Sequence, residues 1–251
     1  MTNHAELLSP SDEIRTALAP TGVLRAGINM GNVVLVTGRT PDGEPDGVAP
    51  DMARAIAMRL GVPVRLVPFP TPGELGDAVE ANLWDIGLIG AEPQRAETIA
   101  FTAPYAEIEA TYLVPAGSSI TTLSEVDQSG VRIAVYARSA YGLWLERHIT
   151  QATLIRTDST AEAMRRFLDD GLDALAGLRA ALVDDAQRLG GAVVLAGRFA
   201  TVQQAVGVPR TNVVGAAFLR GVVDEAKASG LVASLIAKHG VQGRLAVAPP
   251  A

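Results

Sequence analysis

Hydrophobic residues in this chain follow two alternating patterns, short continuous runs and runs at helical spacing. Val23 to Ile28 is a mostly apolar stretch, broken only by Arg25, and reads as a buried first strand. Ala53, Ile56, Ala57 and Leu60 fall at i, i+3, i+4 and i+7, one face of a helix that Gly61 stops. Residues 62–69 predict a second strand and 85–90 a third. Between them Thr71-Pro72-Gly73-Glu74 has the form of a capping box with proline at its first helical position, opening a helix toward Asn82. Upstream, Ser9-Pro10-Ser11-Asp12 has the character of an N-cap, an N1 proline and an N3 acid, predicting a helix that ends near Leu18. Pro41-Asp42-Gly43 predicts a turn between two short extended pieces.

A second set of elements follows residues 111–115. Val131, Ile133 and Val135 alternate with Arg132 and Ala134, as in a strand, and Ser139 can cap a helix through about Ile149. Residues 154–156 are extended. After Asp158-Ser159-Thr160 a helix is expected with Ala161, Met164, Phe167 and Leu168 on one face. Residues 173–178 read as a strand, 180–189 as a helix and 192–196 as another strand. Two closing helices, 213–228 and 231–238, are divided by Gly230, and residues 246–251 read as a frayed tail. Strands alternating with helices, in two similar β-α-β-α-β runs, predict an α/β fold with largely parallel sheets in two lobes.

Composition narrows the chemistry. The 251 residues are 48% hydrophobic and 19% charged, enough apolar content for a packed core. The 21 Lys and Arg against 27 Asp and Glu give a net charge of -6, which argues against nucleic acid as a partner. Cysteine is absent, so disulfides, thiolate metal sites and thiol nucleophiles are excluded. His4, His148 and His239 show no metal-ligand spacing; no metal and no cofactor are expected. Acids, Ser and Pro interrupt every apolar group in residues 1–22, and no apolar run approaches the ~20 residues of a membrane span. No membrane insertion is expected. As written, the chain is expected in the cytoplasm, and in the periplasm had a signal peptide been removed. A phosphate-binding P-loop and a Gly-x-Ser-x-Gly nucleophile elbow are both missing from the sequence.

Three stretches together resemble the family 3 extracellular solute-binding proteins, the type-2 periplasmic binding fold of amino-acid ABC transporters. The first joins Leu24-Arg25-Ala26-Gly27-Ile28-Asn29 with Gly47-Val48-Ala49-Pro50-Asp51-Met52-Ala53 and Arg59-Leu60-Gly61-Val62. The second is Trp84-Asp85-Ile86 followed by the run from Gln94 through Phe101-Thr102-Ala103-Pro104-Tyr105, the most specific match. The third is Gly130-Val131-Arg132-Ile133-Ala134-Val135 leading to Ser139. The resemblance covers about residues 23–239. It implies two α/β lobes joined by two hinge strands, near 105–109 and 203–205. Lobe 1 would comprise residues 1–106 plus 205–251 and lobe 2 residues 107–204, with a small-molecule ligand held in the cleft between them. Effector domains of LysR-type regulators share this fold, but too few residues precede the first strand here for a DNA-binding helix-turn-helix.

Site residues follow from the same resemblance. Arg95 matches the arginine that clamps a ligand carboxylate, chemistry suited to a planar guanidinium; the alternative is a surface ion pair with Glu92 or Glu97. Ser139 stands where members bring a hydroxyl and helix N-terminal N–H groups to the same carboxylate, flanked by Arg138 and Tyr141. Plain N-capping is the other role open to Ser139. Arg138 occupies a place where many members have glycine. Asn29 ends the first strand, where ligands of open α/β sheets collect. Two departures stand out. Amino-acid binders carry an Asp after the strand at 173–177 to hold the α-ammonium, and here Leu178 and Arg179 follow it; Arg179 is itself a candidate contact, and with Arg95 and Arg138 facing the cleft the ligand would be an anion such as a dicarboxylate. Asn32 replaces an aromatic that often stacks on the ligand. The loop carrying Gly90, Ala91 and Glu92 is about two residues shorter than usual, and Glu92 could replace the missing acid, cap a helix at Pro93 or neutralise Arg95. Gln203 and Gln204 lie near the return hinge.

The expected function is binding or sensing of a small carboxylate-bearing solute, an amino acid or an organic or dicarboxylic acid, with hinge closure and an ABC transporter or another protein as partner. The alternative is a lyase similar to cyclohexadienyl dehydratase. Its general acid would sit just after residues 173–177, where this chain has Leu178-Arg179-Ala180-Ala181 and no carboxyl group.

Overall fold

The computed structural model describes residues 10–250, and the chain divides into two compact units. One runs to Glu107 and resumes at Gln203; the other is Ile108–Val202. The chain therefore crosses between them twice.

In the first unit, α1 (Asp12–Leu18) is capped by Ser11, whose Oγ accepts from the Ile14 N–H at 3.3 Å. Ser9, the expected cap, lies outside the described residues. Parallel strands β1 (Leu24–Asn29), β4 (Val64–Phe69) and β5 (Ile86–Gly90) place β1 in the middle, with Ala26 beside both Leu66 and Ile86. The predicted turn at Pro41-Asp42-Gly43 joins β2 (Gly38–Arg39) to β3 (Pro45–Asp46). α2 (Val48–Leu60) begins five residues ahead of the predicted face, because Pro50 is tolerated in a first helical turn. Gly61 ends α2 in the left-handed region at φ 74°, as expected of a C-cap glycine. α3 is shorter than predicted, Pro72–Asp77, and leaves through turns to Asn82; Gly73 and Gly76 lower its helix propensity. β6 (Ile99–Phe101) and β5 both pair antiparallel with β12 (Ala200–Pro209). Trp84, Leu75, Phe69, Ile89 and Ile99 cluster in the core, and the Trp84 indole donates to the Leu75 carbonyl at 2.9 Å.

α7 (Val213–Ala228) and α8 (Leu231–Lys238) occupy the predicted residues. The predicted frayed tail is corrected. β13 (Ala246–Val247) pairs with Ala106 and Glu107 at the start of β7 (Ala106–Val114), and the buried Ala248 donates its N–H to the Tyr105 carbonyl at 3.1 Å. The small apolar residues of this segment suit a closely packed pairing that composition alone does not reveal.

Asp51, in the first turn of α2, accepts from Lys238 Nζ at 2.6 Å and Arg54 Nη1 at 3.0 Å, with His239 Nε2 at 2.8 Å. Burial acts to raise its pKa, but the Lys238, His239 and Arg54 contacts outweigh it and hold the carboxyl below its ordinary value. An acid at the N-terminus of α2 thus meets the Lys238 cation at the C-terminus of α8, each favourable to its helix dipole. Asp46 also lies here: ligand atoms of Asp46, Asp51 and His239 fall within 4.8 Å of one another. Sequence spacing conceals this cluster because its members come from β3, α2 and the end of α8. Asp51 is already engaged by Lys238 and Arg54, which makes the cluster a charge knot tying α2 to α8.

The second unit orders its strands β7, β10 (Ala174–Leu178), β8 (Arg132–Tyr136) and β9 (Thr153–Thr157). β10, β8 and β9 are parallel, β7 is antiparallel to β10, and β11 (Val193–Val194) pairs with β7. Alternate residues feed opposite faces. Tyr112, Ile133, Val135 and Leu145 lie in one core cluster, and Leu113, Ala134, Phe167 and Leu182 in another. α4 (Ala140–His148), α5 (Thr160–Asp169) and α6 (Arg179–Leu189) follow the three parallel strands, so all three start at the same sheet edge. The predicted face of α5 is rotated: Ala163 and Phe167 are buried, whereas Ala161 and Leu168 are exposed. The strand at the first expected crossing, near 105–109, runs on as β7 to Val114.

The two units repeat one device. Asp85, just before β5, accepts from the backbone N–H of Arg25 at 2.8 Å and from its guanidinium at 2.6 and 3.0 Å. Asp173, just before β10, accepts from the Arg132 backbone N–H at 2.8 Å and Nε at 3.3 Å. Each pair locks the start of one parallel strand to its neighbour. The Asp85 hydrogen bond holds the Arg25 pKa above its ordinary value, against desolvation. Among the described residues no helix is long and apolar enough to cross a membrane.

The two clamps differ in burial, which sets their expected contributions. Asp85→Ala removes the partner of a largely buried arginine and is expected to cost about 3 kcal/mol. Asp173→Ala, in a half-exposed pair, is expected to cost about 1 kcal/mol. Urea denaturation of the two variants measures the difference. A separate acid-sensitive point lies at Asp127, which accepts from Ala152, Gln151 and Thr150 N–H groups and the Thr150 hydroxyl. Desolvation pushes the carboxyl up, but these donors together hold its pKa at about 2. The folded value lies below the unfolded one of about 3.9. The contribution is therefore complete above pH ~4 and is lost as pH falls through the folded value. Thermal midpoints of wild type and Asp127→Asn should converge as pH drops from 5 to 2; parallel curves would contradict the assignment.

Candidate functional site

In the first unit the parallel strands β1 and β5 end at Asn29 and Gly90. The short segment after β5 carries Ala91 and Glu92 into a single 3₁₀ turn, Arg95–Glu97, in place of the helix expected at Pro93. Arg95 is buried, 8% exposed, which is unusual for a cation, and its Nη1 donates to the Gly90 carbonyl at 2.7 Å. Glu92 is buried too, and its carbonyl accepts the Ala96 N–H at 2.9 Å. The Ala91 N–H donates to the Gln203 carbonyl on β12 at 2.8 Å. Arg95, Glu92 and Ala91 are therefore gathered on one loop that is fastened at both ends by backbone carbonyls. Gly76 of α3 faces the guanidinium, with space for a Cβ 3.9 Å from Arg95 Nε.

The two asparagines are employed locally. Asn29 is half-buried and its Oδ1 accepts the Gly31 N–H at 3.1 Å. Asn32 is buried; its Oδ1 accepts from the Val34 and Leu35 N–H groups at 3.2 and 3.3 Å, forming the turn that leads away from β1. Where an aromatic would stack on a ligand, this chain has a turn-forming amide.

In the second unit Ser139 caps α4. Its Oγ accepts the Gly142 N–H at 2.9 Å and donates to the Tyr136 carbonyl at 2.7 Å. With that proton committed, an anion at this helix end would be met by first-turn backbone N–H groups. The turn is tight: a Cβ on Gly142 would come within 2.5 Å of the Tyr136 oxygen. Arg138 is exposed and sits in the left-handed region at φ 61°. The same conformation suits the glycine that many family members have at this place. Tyr141 is buried in the core cluster with Tyr112, Tyr136 and Leu145, beside the Ser139 hydroxyl; burial raises its phenol above the ordinary value. Arg179 opens α6. Its Nε donates to Glu109 at 2.7 Å, Nη1 to the Leu195 carbonyl at 3.4 Å, and Nη2 to the Gly197 carbonyl.

Two features escape motif reading. Glu109 receives Arg179 and also Arg198, the latter at 2.8 Å, and the Arg179 hydrogen bond leads the causes that hold its carboxyl below the usual range. Glu107 Oε1 accepts from Gln203 Nε2 at 2.8 Å. The alternation Ala106-Glu107-Ile108-Glu109-Ala110 is the signal for both, since it sets two acids on one face of a strand that follows a proline-tyrosine turn.

The model of the bacterial extracellular solute-binding proteins, family 3, matches residues 25–242. The chain belongs to that family. No curated protein sequence matches it. Solved structures similar to it include a mutant of ArgBP from T. maritima, at 20% identity and TM-score 0.73, covering 92% of this chain and 100% of that one. Another is an amino acid ABC transporter substrate-binding protein from Streptococcus pneumoniae bound to L-arginine, at 19% identity and TM-score 0.72, covering 91% and 98%. A third is the ancestral amino acid-binding protein AncCDT-1, a precursor of cyclohexadienyl dehydratase, at 20% identity and TM-score 0.70, covering 91% and 99%. At such identities the likeness shows the fold, the type-2 periplasmic binding fold with two α/β lobes.

Within this solute-binding protein, the left-handed Arg138 has a measurable consequence. A left-handed L-residue costs ~1–2 kcal/mol, part of which the greater unfolded-state freedom of glycine offsets. Arg138→Gly is expected to raise stability by about 0.5 kcal/mol, read as a higher urea midpoint; a lower midpoint would show that the arginine side chain outweighs the backbone.

Proposed function

We propose that the protein binds a small solute through its carboxylate, with amino acids as the first class to test, and acts as a binding or sensing component. The observation that carries this is Arg95. It is a buried guanidinium, fastened through one nitrogen to the Gly90 carbonyl at the C-terminal end of β5, on the motif segment 94–105. Holding one nitrogen on a main-chain carbonyl fixes the plane of the group, and a planar guanidinium is the side chain best suited to paired hydrogen bonds with a carboxylate. In low-dielectric surroundings such a contact is stronger than at an exposed site.

The names of the structural relatives support amino acids first, since one is bound to L-arginine and another is called an amino acid-binding protein. Closure of the two units on the ligand, and delivery to an ABC transporter, are parts of the proposal. The lyase alternative gains no support here: β10 ends at Leu178, the N-cap of α6, and Arg179, the first residue of that helix, is engaged with Glu109.

A thermal-shift screen of L-amino acids, dicarboxylates and ring acids tests the proposal. A ligand at 100 times its Kd stabilises by ~2.7 kcal/mol. Arg95→Ala is expected to weaken binding about 100-fold, the loss of ~3 kcal/mol of charge-assisted hydrogen bonding, and so to abolish the shift. Equal shifts in wild type and variant would remove Arg95 from the site. Turnover of any stabilising compound would favour the lyase.

A further inference from the structure

The family's acid for a ligand ammonium is replaced here by Leu178, yet an amino-acid ligand would still bring an ammonium that needs acceptors. The first unit contains a pair of acceptors that no motif predicts. Gln203 Nε2 donates to Glu107 Oε1 at 2.8 Å. A carboxylate only accepts, so the amide nitrogen must face it, and the amide oxygen is forced to point elsewhere. That oxygen, Gln203 Oε1, is buried and has no hydrogen-bond partner. A buried acceptor with nothing to accept from is costly and uncommon. Here it lies on the same side-chain pair as a carboxylate, an arrangement complementary to a group with several N–H donors and a positive charge.

The pair is also built into the Arg95 loop. The Gln203 carbonyl takes the Ala91 N–H at 2.8 Å, and Arg95 is fastened to Gly90, the residue before Ala91. One β12 residue thus holds the carboxylate-binding loop with its main chain and Glu107 with its side chain. Granting the carboxylate reading of Arg95, on which this depends, we propose that Glu107 and Gln203 receive the α-ammonium of the ligand, taking the role that the family gives to an acid after β10. The protein is then specific for amino acids over the corresponding simple acids, although the usual acid is missing.

Calorimetric titration with matched pairs decides the matter: L-glutamine and glutaramate, L-leucine and 4-methylpentanoate, L-arginine and 5-guanidinopentanoate. Within the pair that binds, wild type should favour the amino acid at least tenfold. Glu107→Gln retains an acceptor for the Gln203 amide but loses the charge. It should weaken the amino acid tenfold or more, leave the deaminated acid within twofold, and so erase the preference. Gln203→Met keeps the charge of Glu107 and should reduce the preference three- to tenfold; its own thermal midpoint shows that it folds, so the test stands even where Glu107→Gln is unstable. Retention of the preference in both variants would overturn the proposal. Equal affinity of wild type for both members of a pair, with loss of both in Arg95→Ala, would overturn it while leaving the carboxylate reading intact. Failure of every pair to bind would overturn the two together.

Discussion

Both units are held in register by an arginine at the start of one parallel strand that grips, through backbone and guanidinium together, an aspartate just ahead of its neighbour. In the first unit the grip of Arg25 on Asp85 is largely buried; in the second, Arg132 and Asp173 are half exposed. A parallel pair cannot be set by a tight turn, since its strands are joined by a crossover helix. Something else must define where each strand begins, and a charged clamp at one end does so. With the start fixed and the register tied by backbone hydrogen bonds, the far ends of β1 and β5 fall at Asn29 and Gly90. The candidate residues Ala91, Glu92 and Arg95 follow the end of β5.

Around Gly90 the backbone itself becomes the scaffold. Its carbonyl orients Arg95, and the next N–H fastens the loop to β12. A buried guanidinium is tolerable only when it is hydrogen-bonded, and a main-chain carbonyl on a fully buried strand is a rigid partner. The second unit offers a contrasting arrangement. Three helices start at one sheet edge, but Ser139 is occupied as a cap and Arg179 is occupied with Glu109. Its contribution to anion binding would come from backbone N–H groups.

How legible all this is from sequence depends on how local the determinants are. Ser139 and Thr71 are read correctly as caps because the bond they make reaches only three residues along the chain. The helices 213–228 and 231–238 are read to the residue because Gly230 marks the break. α5 is rotated from its predicted face because Ala161 and Leu168 were counted as core on apolarity alone, whereas burial follows from which side meets β8. The tail at 246–248 is missed altogether, since nothing local distinguishes a strand that pairs with residues 140 positions earlier.

The sequence by itself determines the alternation of strand and helix, the caps and breaks, the family motifs, and Arg95 as the leading candidate. Those signals are local, carried by periodicity and short-range hydrogen bonds. Tertiary structure alone decides which of the other candidates have work elsewhere: Asn32 in a turn, Tyr141 in the core, Arg179 on Glu109. It also brings Glu107 to Gln203 and His239 to Asp51, pairs separated by 96 and 188 residues. Charge and hydrogen bonding act through space, and only the folded chain sets which distant groups are close enough to use them.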